Sequence, residues 1–128
     1  MKAGSLLREM QAAAPDLFGP ATARLLEQDK ASQDTFWGDW FLVQIHDVLV
    51  RVVRDRGQVS VDVGHGRDGR HLWDLFTLLR YWNPHAELPP DDVSGLAEAL
   101  KRFWPAIHRE MTGEPQRIEA TYGPPNAP

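Results

Sequence analysis

Hydrophobic positions along this chain change their period twice, and the changes divide it into elements. From Ser5 the apolar residues Leu6, Leu7, Met10 and Ala14 recur every three or four positions. That is one face of a helix, which Ser5 can cap and Pro15 ends, because the residue before a proline is pushed out of the helical region. Gly19-Pro20 opens a second predicted helix with Pro20 at its first position, Ala21, Leu25 and Leu26 inward and an end near Lys30. From Trp40 the period becomes strand-like, since "WFLVQIHDVLVRVV" is dominated by β-branched and aromatic residues in alternation.

Val48, Val50 and Val52 share one face of that run, and Val59, Val61 and Val63 share one face of the next. The intervening "RDRG" supplies a glycine for a tight turn. A four-residue loop from Arg54 to Gly57 sets Val52 opposite Val59, Val50 opposite Val61 and Val48 opposite Val63, all six on one buried face. The helical period returns with Leu72, Leu75, Phe76 and Leu79, joined by Trp73, Leu78 and Trp82 in a wide apolar arc that Asp68 can cap and Asn83-Pro84 ends. Asp91 is placed to cap a last helix carrying Leu96, Leu100, Phe103, Trp104, Ile107 and Met111. Pro105 falls inside that stripe and is expected to kink or split it. Beyond Gly113 the chain turns rich in Pro, Gly and Thr, although "QRIEATY" alternates as a short edge strand does, before a "GPPNAP" tail of disordered character. The expected architecture is a single α+β domain over residues 1–112, an antiparallel sheet of three to four strands packed on one face by about four helices, followed by the Pro/Gly-rich segment 113–128.

Composition narrows the function. At 128 residues, 42% hydrophobic and 25% charged, the chain fits one globular core. There is no cysteine, which removes disulfide frameworks, thiolate zinc sites and cysteine nucleophiles. The start is broken by charge before a signal-peptide core can form, and no stretch approaches the ~20 apolar residues of a membrane span, so a cytoplasmic protein without membrane association is expected. A net charge of −4 argues against a nucleic-acid binder. Five arginines between Arg51 and Arg70 are interleaved with Asp47, Asp55, Asp62 and Asp68, the pattern of a solvated face.

The stretch with most chemical promise is "VDVGHGRDGRHLWDL", where Gly64, Gly66 and Gly69 have G-x-G-x-x-G spacing between a strand and a helix. A dinucleotide fold needs a parallel strand after that helix, and "NPHAELPPDD" offers none. The hairpin upstream makes the sheet antiparallel, and the lysine and Ser/Thr of a P-loop are missing. Asp62, His65, Arg67, Asp68, Arg70 and His71 nevertheless define a candidate loop for an anionic or other small ligand, backed by the free N–H groups of a helix start. His65 and His71 lack the i, i+4 spacing of a zinc-hydrolase helix, and His46, His85 and His108 are scattered, so no metal or cofactor is expected. No G-x-S-x-G elbow is present, Ser60 lies inside a strand pattern, and Asp91-Asp92 reads as helix-start charge, so no catalytic residue is assigned.

The aromatic group Phe36, Trp37, Trp40 and Phe41 is denser than a strand entry requires. It makes Trp37 and Trp40 candidate interface anchors, a role in which tryptophan is over-represented. The segment "VLVRVVRDRGQVSVDVG" followed by "LWDLFTLLRYW" resembles the body of small bacterial proteins that include immunity-type proteins encoded beside toxins. That resemblance implies a cytoplasmic protein that works by binding another protein, a toxin in the immunity case. The expected function is thus a non-catalytic protein-interaction module. The alternative is a small-ligand or phosphate-binding protein, an enzyme included, using Gly64 to His71, and self-association into a homo-oligomer is a third reading.

Overall fold

A computed structural model of the chain describes residues 5–28, 39–66 and 72–113. In chain order the elements are α1 (Ser5–Ala13), α2 (Pro15–Phe18), β1 (Ala23–Gln28), β2 (Asp39–Ile45), β3 (Val48–Asp55), β4 (Gln58–His65), β5 (Leu72–Asp74), α3 (Leu75–Trp82) and α4 (Val93–Thr112). The five strands form one antiparallel sheet in sequence order, β1-β2-β3-β4-β5. Among the described residues no helix is long and apolar enough to cross a membrane.

The sheet has more strands than the three to four expected, and both additions come from segments whose period reads as helical. Residues 23–28 pair with β2 instead of forming the predicted second helix. Leu25 and Leu26 are 41% and 39% exposed there, so the inward helical face assigned to them does not exist. Helical propensity over six residues amounts to tenths of a kcal/mol each, which one open sheet edge outweighs. At the other edge Leu72 and Trp73 extend β4's partner strand, with Trp73 opposite Val63 and Leu72 opposite Gly64. The helix therefore starts at Leu75, where the Asp74 carboxylate accepts from the Thr77 N–H at 3.3 Å and caps it. Asp68, the expected cap, lies outside the described residues. The last helix is capped by Asp92 in place of Asp91, its Oδ1 accepting from the Gly95 N–H at 2.7 Å. Pro105 does not split α4, which runs as one element from Val93 to Thr112 with the proline on its exposed side.

The central hairpin keeps the predicted face and changes the predicted register. Asp55 pairs with Gln58, so the loop is the two residues Arg56 and Gly57, with φ of 56° and 82°. Two successive left-handed residues are the signature of a type I′ turn, whose twist suits a hairpin. Val52 consequently faces Val61, Val50 faces Val63, and Val48 faces His65. A slip of two residues preserves the pleat, and all six valines remain buried. Together with Phe41, Val43, Ile45 and Trp73 they line the face that shares one core with Leu6 and Met10 of α1, Leu75, Leu78 and Leu79 of α3, and Leu96, Leu100, Ile107 and Met111 of α4. Phe18 of α2 meets Phe41 edge-to-face at 5.8 Å, anchoring the α1–α2 unit on β2. Residues 113–128, apart from Gly113, lie outside the described residues, as does the strand expected in "QRIEATY".

Candidate functional site

Only part of the predicted ligand loop falls within the described residues. Asp62 sits on β4, on the sheet face opposite the core. Its Oδ2 accepts from Nε and Nη2 of Arg51 at 3.1 and 2.7 Å, a cross-strand ion pair within the hairpin. His65 closes β4, half-buried, in the register position opposite Val48. Arg67, Asp68, Arg70 and His71 lie outside the described residues, so of the predicted set only Asp62 and His65 are placed. Two of the three motif glycines fall within the described residues. Gly64 is buried between Leu49 and Leu72 on the neighbouring strands. Gly66 donates its N–H to the Asp47 carbonyl at 2.8 Å, where an added Cβ would stand 2.8 Å from the same oxygen.

Of the two candidate anchors, Trp37 lies outside the described residues and Trp40 is half-buried on β2 opposite Val53. Trp40, Leu42 and Val53 occupy the sheet face away from the main core, together with the Arg51–Asp62 pair and an Arg24 Nη2 to Gln44 Oε1 hydrogen bond of 2.9 Å. Leu49 and Leu72, also on that face, are buried at 3% and 6% without belonging to the core cluster.

Arg54 is likewise committed to structure. Arg54 Nη2 reaches Glu9 Oε2 and Asp39 Oδ2, both at 2.8 Å, tying α1 to the ends of β2 and β3. Its proton is held more tightly than usual, by Glu9 first and Asp39 second, against the opposing effect of desolvation. The pKa of Asp74 is also raised, above the ordinary aspartate range, but here it is the charged form that is disfavoured. Desolvation of its carboxyl at the junction of β5 and α3 is the larger cause and the charge of Asp62 the smaller, partly offset by the N–H groups of Thr77 and Phe76. A small groove of about 310 Å³ beside it is lined by Asp55, Ser60, Asp74, Phe76 and Asp91. Its carboxylates form no metal cluster, and among the described residues no three His, Asp or Glu side chains converge on an ion.

A larger concavity among the described residues lies between the end of α3, the connection 83–92 and the first half of α4. This groove of about 960 Å³ is floored by Leu79, Trp82, Ala99 and Phe103, with Leu88 on its wall and Glu87, Asp92 and Glu98 among its polar residues. The Trp82 and Phe103 rings stand 6.3 Å apart, the Trp82 Nε1–H points to Glu110 at 3.4 Å, and Arg102 lies over the Phe103 ring at 5.3 Å. Leu88 is 37% exposed, one of the few large apolar side chains left open among the described residues. Sequence reasoning placed Leu79, Trp82 and Phe103 in core stripes and gave "HAELPP" no role beyond connection. The signal present was the excess width of the α3 apolar arc, which exceeds what the sheet alone covers.

Comparison of the chain with protein-family models, with curated proteins and with solved structures finds no match in any of the three.

Proposed function

We propose that this chain is a cytoplasmic, non-catalytic protein-interaction module of the immunity type, which binds a partner protein through the groove between α3 and α4. The observation that carries the reading is the groove itself. It is a preformed concavity of about 960 Å³ with an aromatic floor and the open Leu88 on its wall, the combination expected of an anchor-accepting surface. On the sheet Arg51 pairs with Asp62, and Arg54 joins Asp39 to Glu9 of α1. On the groove lining the carboxylates Glu87, Asp92 and Glu98 outnumber the guanidinium of Arg102, with Asp92 capping α4 and Glu98 paired with Lys101 at 3.1 Å, and the chain carries a net charge of −4. The partner segment is therefore one with an apolar anchor flanked by Lys or Arg. Trp40 and Trp37 remain proposed as a second contact region.

Calorimetric titration of the wild type with the purified product of the adjacent gene tests this. Leu88→Asp and Glu98→Lys should each weaken binding, Leu88→Asp by about thirtyfold or more if it removes a central contact, while circular dichroism stays unchanged. The competing reading, a small-ligand site at Gly64 to His71 with Asp62, predicts instead that millimolar phosphate or nucleotide raises the melting temperature by ligand linkage. That rise, together with no binding of the protein partner, would overturn the proposal.

A further inference from the structure

The fold brings together two histidines that are far apart in sequence. His46 occupies the β2–β3 turn and His108 lies on α4, and their ring centres are 6.2 Å apart at an interplanar angle of 89°. Both line a shallow depression of about 360 Å³ with Trp104 and Pro105. The backbone carbonyls of the two residues are held by neighbours. Gln44 Nε2 donates to the His46 oxygen at 3.1 Å and Thr112 Oγ1 to the His108 oxygen at 2.6 Å, bonds that leave the imidazole nitrogens uninvolved. His46 adopts φ of 55°, a left-handed conformation that histidine and asparagine tolerate better than most residues, which fixes where its ring leaves the turn. With metal–nitrogen bonds of about 2 Å, two imidazoles on one ion set their ring centres roughly 5 to 6 Å apart. The exposed His46 ring has room to make up the difference.

We propose that His46 and His108 form a two-imidazole site for a borderline divalent transition ion, with water completing the coordination. Imidazole donors without thiolate or carboxylate select Cu(II), Ni(II) and Zn(II) over Mg(II) and Ca(II), and Cu(II) binds tightest in the ordinary ion series. Calorimetric titration of the full chain with CuCl₂ and ZnCl₂ at pH 7.5 should show one ion per chain at this site, tighter for Cu(II), undisturbed by millimolar Mg(II). Cu(II) should quench tryptophan emission, and Trp104→Phe should remove most of that quenching. His46→Asn, chosen because asparagine tolerates the left-handed backbone, and His108→Gln should each weaken binding by about tenfold or more, since one imidazole loses the chelate. If either variant disturbs the fold, broadening of both the His46 and His108 ring resonances of the wild type by substoichiometric Cu(II) reads out the same site. Unchanged affinity in either variant, broadening of only one ring, or no binding by the wild type at about 1 mM ion would overturn the proposal.

Discussion

Replacing Val50 by alanine tests the sheet where its assignment of faces is sharpest. Val50 is wholly buried on the central strand, between Val43 and Val63, while Val53 on the same strand points to the opposite face and is half-buried. Val50→Ala removes two methyl groups from the core. At about 0.8 kcal/mol each the lost transfer energy is roughly 1.6 kcal/mol, and the cavity in a packed interior raises the total to about 2.5 kcal/mol. For a domain of this size that corresponds to a fall in melting temperature of about 10 °C. Val53→Ala loses only part of the same transfer term and leaves no enclosed void, so it should cost under about 1 kcal/mol. Urea titration followed by circular dichroism and tryptophan fluorescence measures both, with the slope m unchanged if the native state stays compact. A one-residue slip in register would exchange the two environments. Equal losses, or a larger loss for Val53→Ala, would refute the assignment.

The Glu9–Arg54–Asp39 triad should behave as a connected unit. Arg54→Met keeps the packing of the stem but strands the Asp39 carboxylate, whose side chain is only 11% exposed, and should destabilise by about 2 to 3 kcal/mol. Adding Asp39→Asn should recover part of that loss, and additive effects in the double variant would count against the coupling. Asp74 makes a pH-dependent prediction. Its folded pKa lies above the unfolded one, so its contribution to stability is complete below the unfolded value and is lost as pH rises through the folded value. Asp74→Asn, which retains a capping carbonyl oxygen, should therefore match or exceed wild-type stability at pH 7 and give up any advantage on acidification. Urea midpoints that show the variant weaker at pH 7 than at pH 3, relative to wild type, would contradict this.

Period and turn chemistry disclosed the central hairpin because the valine alternation and the "RDRG" turn point to the same answer. What they left undetermined was the loop length. "RDRG" accommodates either a four-residue loop or a two-residue type I′ turn, and both keep the six valines on one face, so the hydrophobic pattern cannot distinguish them. The difference lies in whether Arg56 accepts a left-handed conformation, a tertiary outcome that its side chain does not announce. The edge strands were hidden for another reason. "ARLLEQ" carries helix-forming residues with no alternation, and Leu72-Trp73-Asp74 runs without a break into a true helical stripe. Each becomes a strand because β2 or β4 presents an unpaired ladder, and such non-local demand has no signature in a short window.

The same contrast governs the site. The glycine loop attracts notice because its motif is local, yet Gly66 answers to the neighbouring Asp47 carbonyl and Gly64 lies within the sheet ladder. The groove between α3 and α4 is built from residues that a linear reading assigns to the core. Leu79, Trp82 and Phe103 stand at ordinary helical spacings, and only the packing of α3 beside α4 determines which part of each stripe the sheet covers and which part remains open. Two helices on one sheet cannot both turn their full apolar arcs onto it when those arcs are wider than a surface helix needs. The surplus must meet at the seam between them, where the rings of Trp82 and Phe103 are found 6.3 Å apart. A stripe too wide for the layer beneath it is thus the form in which this sequence carried the groove between α3 and α4.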